Sequence, residues 1–243
     1  MASDRPNGHV LGDTGAQSSI LEAMTAEAPN YRAWLTSMAL PYLGDDPIEL
    51  GSGLGDYAQA WVDRGQPRIT VTEAEETRLA HLRMRFANDS RVTVRRIDLN
   101  NPGEGTHSSF VSFNVLEHIP EDVAALEAAR SLVRSGGYVF SFVPAFPIAM
   151  SDFDRQIGHV RRYRIKTMAK AMSAAGLQPI SLRYINAPGL FAWILGMRVL
   201  GLNPGQGPFM SIWDARVVPV IRAVEQRWQM PFGQSVVAVG RVL

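Results

Sequence analysis

The chain has 243 residues, 46% of them hydrophobic and 19% charged, and its formal net charge is +1. Those values fit a globular protein of one large domain and give no electrostatic case for nucleic acid or an anionic membrane as partner. Cysteine is absent, which excludes disulfides, thiolate metal sites and cysteine nucleophiles together.

Residues 1–29 read as a mobile arm followed by a short helix from Ser18 to Ala28. Met1 to Asp13 is polar and lacks the apolar core of a signal peptide. The most apolar late run, Leu190 to Leu202, contains Arg198 and is too short to span a bilayer. No transmembrane segment and a cytoplasmic setting are therefore expected. A helix is predicted from Asn30 or Tyr31 to Tyr42, with Tyr31, Trp34, Leu35, Met38 and Leu43 along one side. That side either packs into the core or covers a ligand crevice.

Pro47 to Asp56 is the pivot of the chain. It reads as a short buried strand, a turn with Gly51, Gly53 and Gly55 at alternate positions, and an amphipathic helix to Arg64 that Gly65 stops. Glycines let the backbone take positive φ and let a ligand approach where a Cβ would collide. The helix start that follows offers free N–H groups at a strand's carboxyl end. The dinucleotide fingerprint needs a small residue where this chain has Asp56, so that fingerprint fails, and a nicotinamide-dependent oxidoreductase is disfavoured with it.

Arg68 to Thr72 reads as a second strand ending at Glu73-Ala74. A carboxylate about twenty residues past the first glycine is placed to hold a ribose diol. A helix from Glu75 to Phe86 and a strand from Arg91 to Arg95 lead to Asp98-Leu99. There a carboxylate either accepts from an adenine amino group, with Leu99 on the ring, or caps its own turn. Phe110 to Ile119 is a fourth strand running into a loop, Pro120 starts a helix to Val133 that Ser135-Gly136-Gly137 ends, and Tyr138 to Val143 is a fifth strand. This alternation predicts right-handed crossovers and a parallel sheet.

Beyond Pro144, the stretch Ala145 to Ile165 carries Asp152, Asp154, His159, Arg161, Arg162 and Tyr163 and is too irregular to read as a helix. Polar loops past a strand's carboxyl end are where substrate residues sit. Lys166 to Ala175 is a helix and Gln178 to Tyr184 a strand. Pro188 to Met230 is an apolar, tryptophan-bearing insertion of two helices, and Gln234 to Val242 is the last strand.

Taken together, the residues from about Asn30 to Val242 resemble class I S-adenosylmethionine (SAM)-dependent methyltransferases. The matches are Glu-Leu-Gly-Ser-Gly-Leu-Gly at 49–55, Glu73, Asp98, Asn-Val-Leu-Glu-His-Ile at 114–119, and Gly136-Gly137. The second half is similar to a narrower bacterial subgroup associated with glycan and glycosyltransferase functions. Its marks are Val143-Pro144-Ala145, Asp154, Gly158-His159-x-Arg161-Arg162-Tyr163, Asn186, Pro188-Gly189 and Pro231-Phe232-Gly233-Gln234-Ser235. Within that subgroup the resemblance points to actinobacterial sugar O-methyltransferases of the methylmannose-polysaccharide type. One departure stands out: the acidic residue usual early in the fourth strand is replaced around Ser108.

The resemblance implies a Rossmann-like α/β fold with a seven-stranded, mostly parallel sheet, helices on both faces and a terminal antiparallel hairpin. It implies a methyltransferase domain over 30–243 with a helical insertion at about 188–230, and SAM as cofactor. Glu49, Gly51, Ser52, Gly53 and Gly55 would face the methionine moiety, Glu73 and Ala74 the ribose, and Asp98 and Leu99 the adenine. Asn114 and Leu116 would floor the sulfonium, and Tyr31 would close over it.

Methyl transfer from a sulfonium is an in-line displacement, so placement of the acceptor matters most; an alcohol acceptor must also lose its proton. His118 and His159 are the candidate catalytic bases. Asp154, Arg161, Arg162 and Tyr163 are candidate substrate residues, the guanidinium groups suiting oxygen-rich acceptors. Glu117, His118 and His159 form an alternative divalent-metal set. In plant small-RNA 2′-O-methyltransferases and ubiquinone-pathway O-methyltransferases a Glu-x-x-Glu-His run binds a metal, but here Asn114 replaces the first carboxylate, which argues against a hard cation. The expected reaction is O-methylation of a sugar or glycan precursor. Lipid-linked or secondary-metabolite acceptors, and a non-catalytic SAM-binding module, are the rivals. The aromatic insertion (Phe191, Trp193, Phe209, Trp213, Trp228) packs inward, forms a homodimer face or stacks sugars.

Overall fold

The computed structural model describes residues 28–103, 105–201 and 208–243. The expected N-terminal arm and the helix from Ser18 lie outside the described residues, apart from Ala28 and Pro29. The first described helix, α1 (Pro29–Leu43), starts with a proline at its first turn. It is followed by β1 (Pro47–Leu50), α2 (Asp56–Val62), β2 (Ile69–Thr72), α3 (Glu76–Arg85), β3 (Val92–Arg95) and β4 (His107–Phe113). Next come α4 (Asp122–Leu132), β5 (Val133–Pro144), a short α5 (Asp152–Gln156), α6 (Ile165–Ala174) and β6 (Gln178–Ile185). The last part holds α7 (Ala187–Trp193) with a π-helical continuation (Ile194–Val199), α8 (Pro208–Ile212), a second π-helical turn (Trp213–Val217), α9 (Val218–Glu225) and β7 (Ser235–Arg241).

The strands form one seven-stranded sheet in the order β3-β2-β1-β4-β5-β7-β6. The pairs from β3 to β5 are parallel, and β7 runs antiparallel to both β5 and β6. The expected Rossmann-like methyltransferase architecture, with its terminal antiparallel hairpin, is the one observed. β1, β2 and β4 are buried at every position, as strands covered on both faces must be. One core joins α1, α2 and α9 to one face through Trp34, Trp61, Phe113, Phe140 and Ile221. The other joins α4 and α6 to the opposite face through Leu126, Leu132, Met168 and Met172.

Two local expectations change. Ser135-Gly136-Gly137 does not follow a helix reaching Val133; it lies within β5, whose pairing shifts register between His107↔Val133 and Ser109↔Tyr138. Gly136 sits at φ +82°, and a Cβ on Gly137 would lie 2.4 Å from the Ser108 carbonyl oxygen. The two glycines make a bulge where strand backbones crowd, rather than a helix stop. The irregular stretch after Pro144 contains the short helix α5. Ser151 Oγ accepts from the Asp154 N–H and Asp154 accepts from the Ser151 N–H, a capping box.

The departure at Ser108 has a local reason. Its hydroxyl donates to the Leu43 carbonyl and accepts from the Asp46 N–H, and Gly44 passes so close that a Cβ there would meet Ser108 Cβ at 2.5 Å. This is the amino end of β4, away from the crevice. Central β1 buries one ionisable group, Glu49, which is 2% exposed and has Oε2 without a hydrogen-bond partner. Burial pushes its carboxyl up to about 8, with a hydrogen bond to Ser52 opposing.

Between about pH 5 and about pH 8 Glu49 is neutral in the fold but ionised in the unfolded chain, so raising the pH favours unfolding. Urea unfolding of ligand-free protein should lose at least about 2 kcal/mol across this interval, and Glu49→Gln should flatten the slope. An unchanged slope in the variant would contradict this account of Glu49.

Candidate active site

The parallel strands and β6 end on one edge of the sheet, and the glycine turn lies there. Gly51, Gly53 and Gly55 all have positive φ, at +65°, +56° and +83°. A Cβ on Gly51 would strike Val115 at 2.7 Å, and one on Gly55 would strike Phe86 at 2.7 Å. A Cβ on Gly53 would meet nothing within 4 Å. Two glycines thus let neighbouring segments close in, and the middle one faces open space.

The turn is clamped to the end of β2. Ser52 N–H donates to the Thr72 carbonyl (2.8 Å), Thr72 N–H donates to Ser52 Oγ (3.2 Å), and Thr72 Oγ1 donates to the Glu49 carbonyl (2.8 Å). Glu73 completes the clamp: Oε2 accepts from Gly53 N–H (3.0 Å) and Oε1 from Ala74 N–H (2.8 Å). Oε1 also accepts from the Glu75 N–H (3.4 Å), and Oε2 keeps a lone pair for a further donor. Asp56, the residue that breaks the dinucleotide fingerprint, is paired with Arg32 of α1 (3.2 Å) and Arg85 of α3 (2.8 Å).

Asp98 follows β3 as an exposed residue, and its Oδ1 accepts from the backbone and side-chain N–H groups of Asn100. It caps its own turn, while Leu99 packs against the core. Asn114 follows β4 at φ +51°, exposed, and Leu116 is buried beneath it. Phe146 after β5 and Asn186 after β6 also have positive φ, so every such non-glycine residue among those described lies at this edge. Backbone strain of that kind collects at functional sites. Tyr31, expected over the cofactor, has its hydroxyl among Asn186 and Ser235, and burial raises its pKa to about 12.

A second cluster joins the segment after β4 to the polar stretch after β5. Glu117, His118 and His159 place ligand-type atoms all within 4.8 Å of one another. The two imidazole rings meet edge-on at 4.7 Å between centroids. His159 is held from both sides, with Nδ1 2.8 Å from Asp154 Oδ1 and Nε2 3.7 Å from Glu117 Oε1. Burial draws His118 down to about 4, and the neighbouring His159 acts in the same direction. Glu117 is fully buried, and neither carboxylate oxygen has a hydrogen-bond partner in the protein. Burial pushes this carboxyl up to about 8.

The cluster rests on a buried polar support. Burial opposes ionisation of Asp154, but hydrogen bonds from His159 and Ser151 and the charge of Arg162 outweigh it, holding the carboxyl well below the usual carboxylate range. Arg162 donates through Nε and Nη2 to Asp154 Oδ1 (3.0 and 2.7 Å) and through Nη1 to the Ala145 carbonyl. Tyr163 Oη donates to Asp122 Oδ2 (2.9 Å), and Arg161 pairs with the same oxygen at 2.7 Å. Asp154, Arg162 and Tyr163 were expected against the acceptor; they are buried, with their polar groups engaged inside the protein. Here they position His159 and the loop, because a side chain sealed on all sides cannot meet a diffusing ligand. Arg161 remains part-exposed.

Two contributors escaped sequence reasoning. Ser151 supports Asp154, and the Ser-x-x-Asp spacing at 151–154 was a readable signal. Trp193 lies under the Arg162 guanidinium at 4.9 Å and donates from Nε1 to the Ala149 carbonyl. Nothing local in the sequence announces that partner across the insertion.

The residues fit a divalent cation on one observation of this structure: a buried carboxylate with both oxygens unpartnered faces two imidazoles. Asp154 on the far nitrogen of His159 is the outer partner that a metal-bound histidine takes.

Residues 48–139 match a protein family described as Methyltransferase domain. The chain is 26% identical over 111 residues to a ubiquinone biosynthesis O-methyltransferase of Paracidovorax citrulli, covering 44% of this chain and 46% of that protein. It spans about half the length of the curated relatives it matches. Among solved structures, a SAM-dependent methyltransferase from Mesorhizobium loti superposes with a TM-score of 0.60 at 16% identity, covering 85% of this chain and 95% of that one. Geranyl diphosphate C-methyltransferase from Streptomyces coelicolor, solved with Mg2+, geranyl diphosphate and S-adenosylhomocysteine, gives a TM-score of 0.62 at 12% identity, covering 86% and 77%. Residues 48–139 thus resemble a methyltransferase domain, and the fold around them is the Rossmann-like fold that these solved SAM-dependent methyltransferases share.

Proposed function

We propose that the chain transfers a methyl group from SAM to a hydroxyl of a small acceptor, a sugar or glycan precursor. The observation that carries the reading is the clamped turn: Gly53 opens to space while Glu73 holds its N–H from below. The same carboxylate has capacity left for a ribose diol. Asp98 and Leu99 supply the adenine end, and Asn114 and Leu116 the floor at the reacting carbon. The methyl carbon passes to the acceptor oxygen as the carbon–sulfur bond breaks, and S-adenosylhomocysteine leaves.

The acceptor's proton is dealt with at Glu117, His118 and His159. These three would hold a divalent cation, and such an ion would lower the pKa of an acceptor hydroxyl. Asp154 fixes the His159 ring so that Nε2 points to Glu117. A second reading rests on the same dyad: with Nδ1 tied to Asp154, Nε2 of His159 takes the hydroxyl proton directly, with no cation. The second reading of the acceptor, a lipid-linked one, rests on one finding, the exposed apolar side chains of the insertion.

Calorimetric titration with S-adenosylhomocysteine should show that Gly53→Val abolishes binding while the thermal midpoint stays within a few degrees. A β-branched residue disfavours this positive φ and fills the opening. Equal affinity in both proteins would move the cofactor elsewhere.

Adding Mn2+ or Zn2+ to exhaustively chelated protein should raise the thermal midpoint of the wild type but not of Glu117→Gln, and should restore methyl transfer. Full activity after chelation, with no midpoint shift, would remove the cation and leave His159 as base.

A further inference from the structure

Of the thirteen large apolar residues exposed among those described, seven fall between Phe191 and Trp228. Phe191, Leu195, Val199, Ile212, Val220 and Trp228 are each more than half exposed. Phe191 and Val220 of this set line a groove of about 450 Å³ between α7 and α9, together with Pro188, Val217, Val224 and Phe232. The groove and the exposed side chains along α7 and α9 concentrate apolar surface in this part of the molecule, which is where docking sites are found.

The charges of the same stretch say what kind of partner fits. Residues 188–230 contain Arg198, Arg216, Arg222 and Arg227 and only two acids, Asp214 and Glu225. Both acids point inward. Asp214 is 3% exposed and accepts from the N–H groups of Asn30 and Tyr31, while Glu225 is 7% exposed and accepts from those of Asn186 and Ala187. Arg198, Arg216 and Arg227 are exposed. A chain whose net charge is +1 therefore shows, along this stretch, only basic outward charge and seven of the thirteen exposed large apolar side chains among the described residues.

We propose that the face formed by α7, its π-helical continuation and α9 docks on an anionic lipid bilayer. The apolar side chains enter the boundary between headgroups and acyl chains, Trp228 takes the interfacial position such rings favour, and the arginines meet lipid phosphates. Docking is peripheral, since no helix among the described residues is long and apolar enough to cross a membrane. Trp193, on α7, carries Arg162 on its ring and is bonded to Ala149, next to the 62%-exposed Ile148. The segment bearing His159 thus sits directly behind the docked face. Binding itself is independent of the methyl-transfer reading and can be measured without SAM.

The test is cosedimentation of the full chain with vesicles of phosphatidylcholine alone, and of phosphatidylcholine with about a quarter phosphatidylglycerol. Binding is expected to the anionic vesicles only. Each arginine near such a surface adds about fivefold in affinity, so Arg198→Glu with Arg227→Glu should weaken binding at least about twentyfold. Leu195→Ser with Trp228→Ser should abolish it, with S-adenosylhomocysteine affinity unchanged in both variants. In the wild type, hydrogen exchange over residues 191–199 and 218–228 should slow when anionic vesicles are added, a readout that needs no variant. No binding to either vesicle, equal binding to both, or protection outside these segments would overturn the proposal. So would a concentration-dependent dimer lost in Leu195→Ser with Trp228→Ser, which would assign the face to a second copy of the chain.

Discussion

The end of β1 is fastened to the end of β2, and the rest of the crevice depends on that fastening. Four hydrogen bonds between Glu49, Ser52 and Gly53 on one side and Thr72 and Glu73 on the other fix the glycine turn. Its three glycines take positive φ without strain but lose much conformational freedom in doing so, so the turn needs outside restraint to persist. The restraint comes from side chains at the carboxyl edge of the sheet, where ligands of open α/β folds bind. Once the turn is fixed, Val115 can pack against Gly51, and α3 against Gly55. The position of the Asn114–His118 segment follows from the first of these contacts.

The His159 cluster depends on burial in a different way. Asp154 is ionised because Arg162, His159 and Ser151 surround it, and Arg162 is held in turn by the ring of Trp193. The insertion therefore braces the polar loop. The insertion is itself tied to the first helix through Asp214, which accepts from Asn30 and Tyr31, residues 184 and 183 positions away. A buried charge with all its partners present rigidifies its surroundings, and removing one partner leaves an uncompensated group at a cost of several kcal/mol. Glu117 is the exception in this network, a buried carboxylate facing two imidazoles with no donor of its own.

Much of this was legible in the sequence because it is local. The spacing of Gly51, Gly53 and Gly55 announced the turn, Glu73 followed at ribose distance, and alternating apolar runs gave the strand order its rhythm. Asn114 to Ile119 and His159 were readable as chemistry-bearing residues, and Glu117, His118 and His159 as one candidate set, although about forty residues separate them and it is β5 that brings the segments together. The sense of Asp154, Arg162 and Tyr163 was not legible. Polar residues in a loop suggest solvent and ligand, and only the packed structure shows them sealed beneath Trp193 and Asp122. Gly136-Gly137 misled for a similar reason: glycine pairs end helices, but here they answer a strand neighbour, Ser108, that the local sequence does not reveal.

The central claim is that a sulfonium nucleoside lies over the clamped turn with its reactive carbon toward the Glu117–His118–His159 cluster. A crystal structure of the chain grown with S-adenosylhomocysteine tests it most directly. The account predicts the ribose hydroxyls on Glu73, the homocysteine chain over Gly53, and the sulfur facing Asn114 and Leu116. A ligand seated elsewhere, or a crevice closed by its own side chains at saturating ligand, would contradict it.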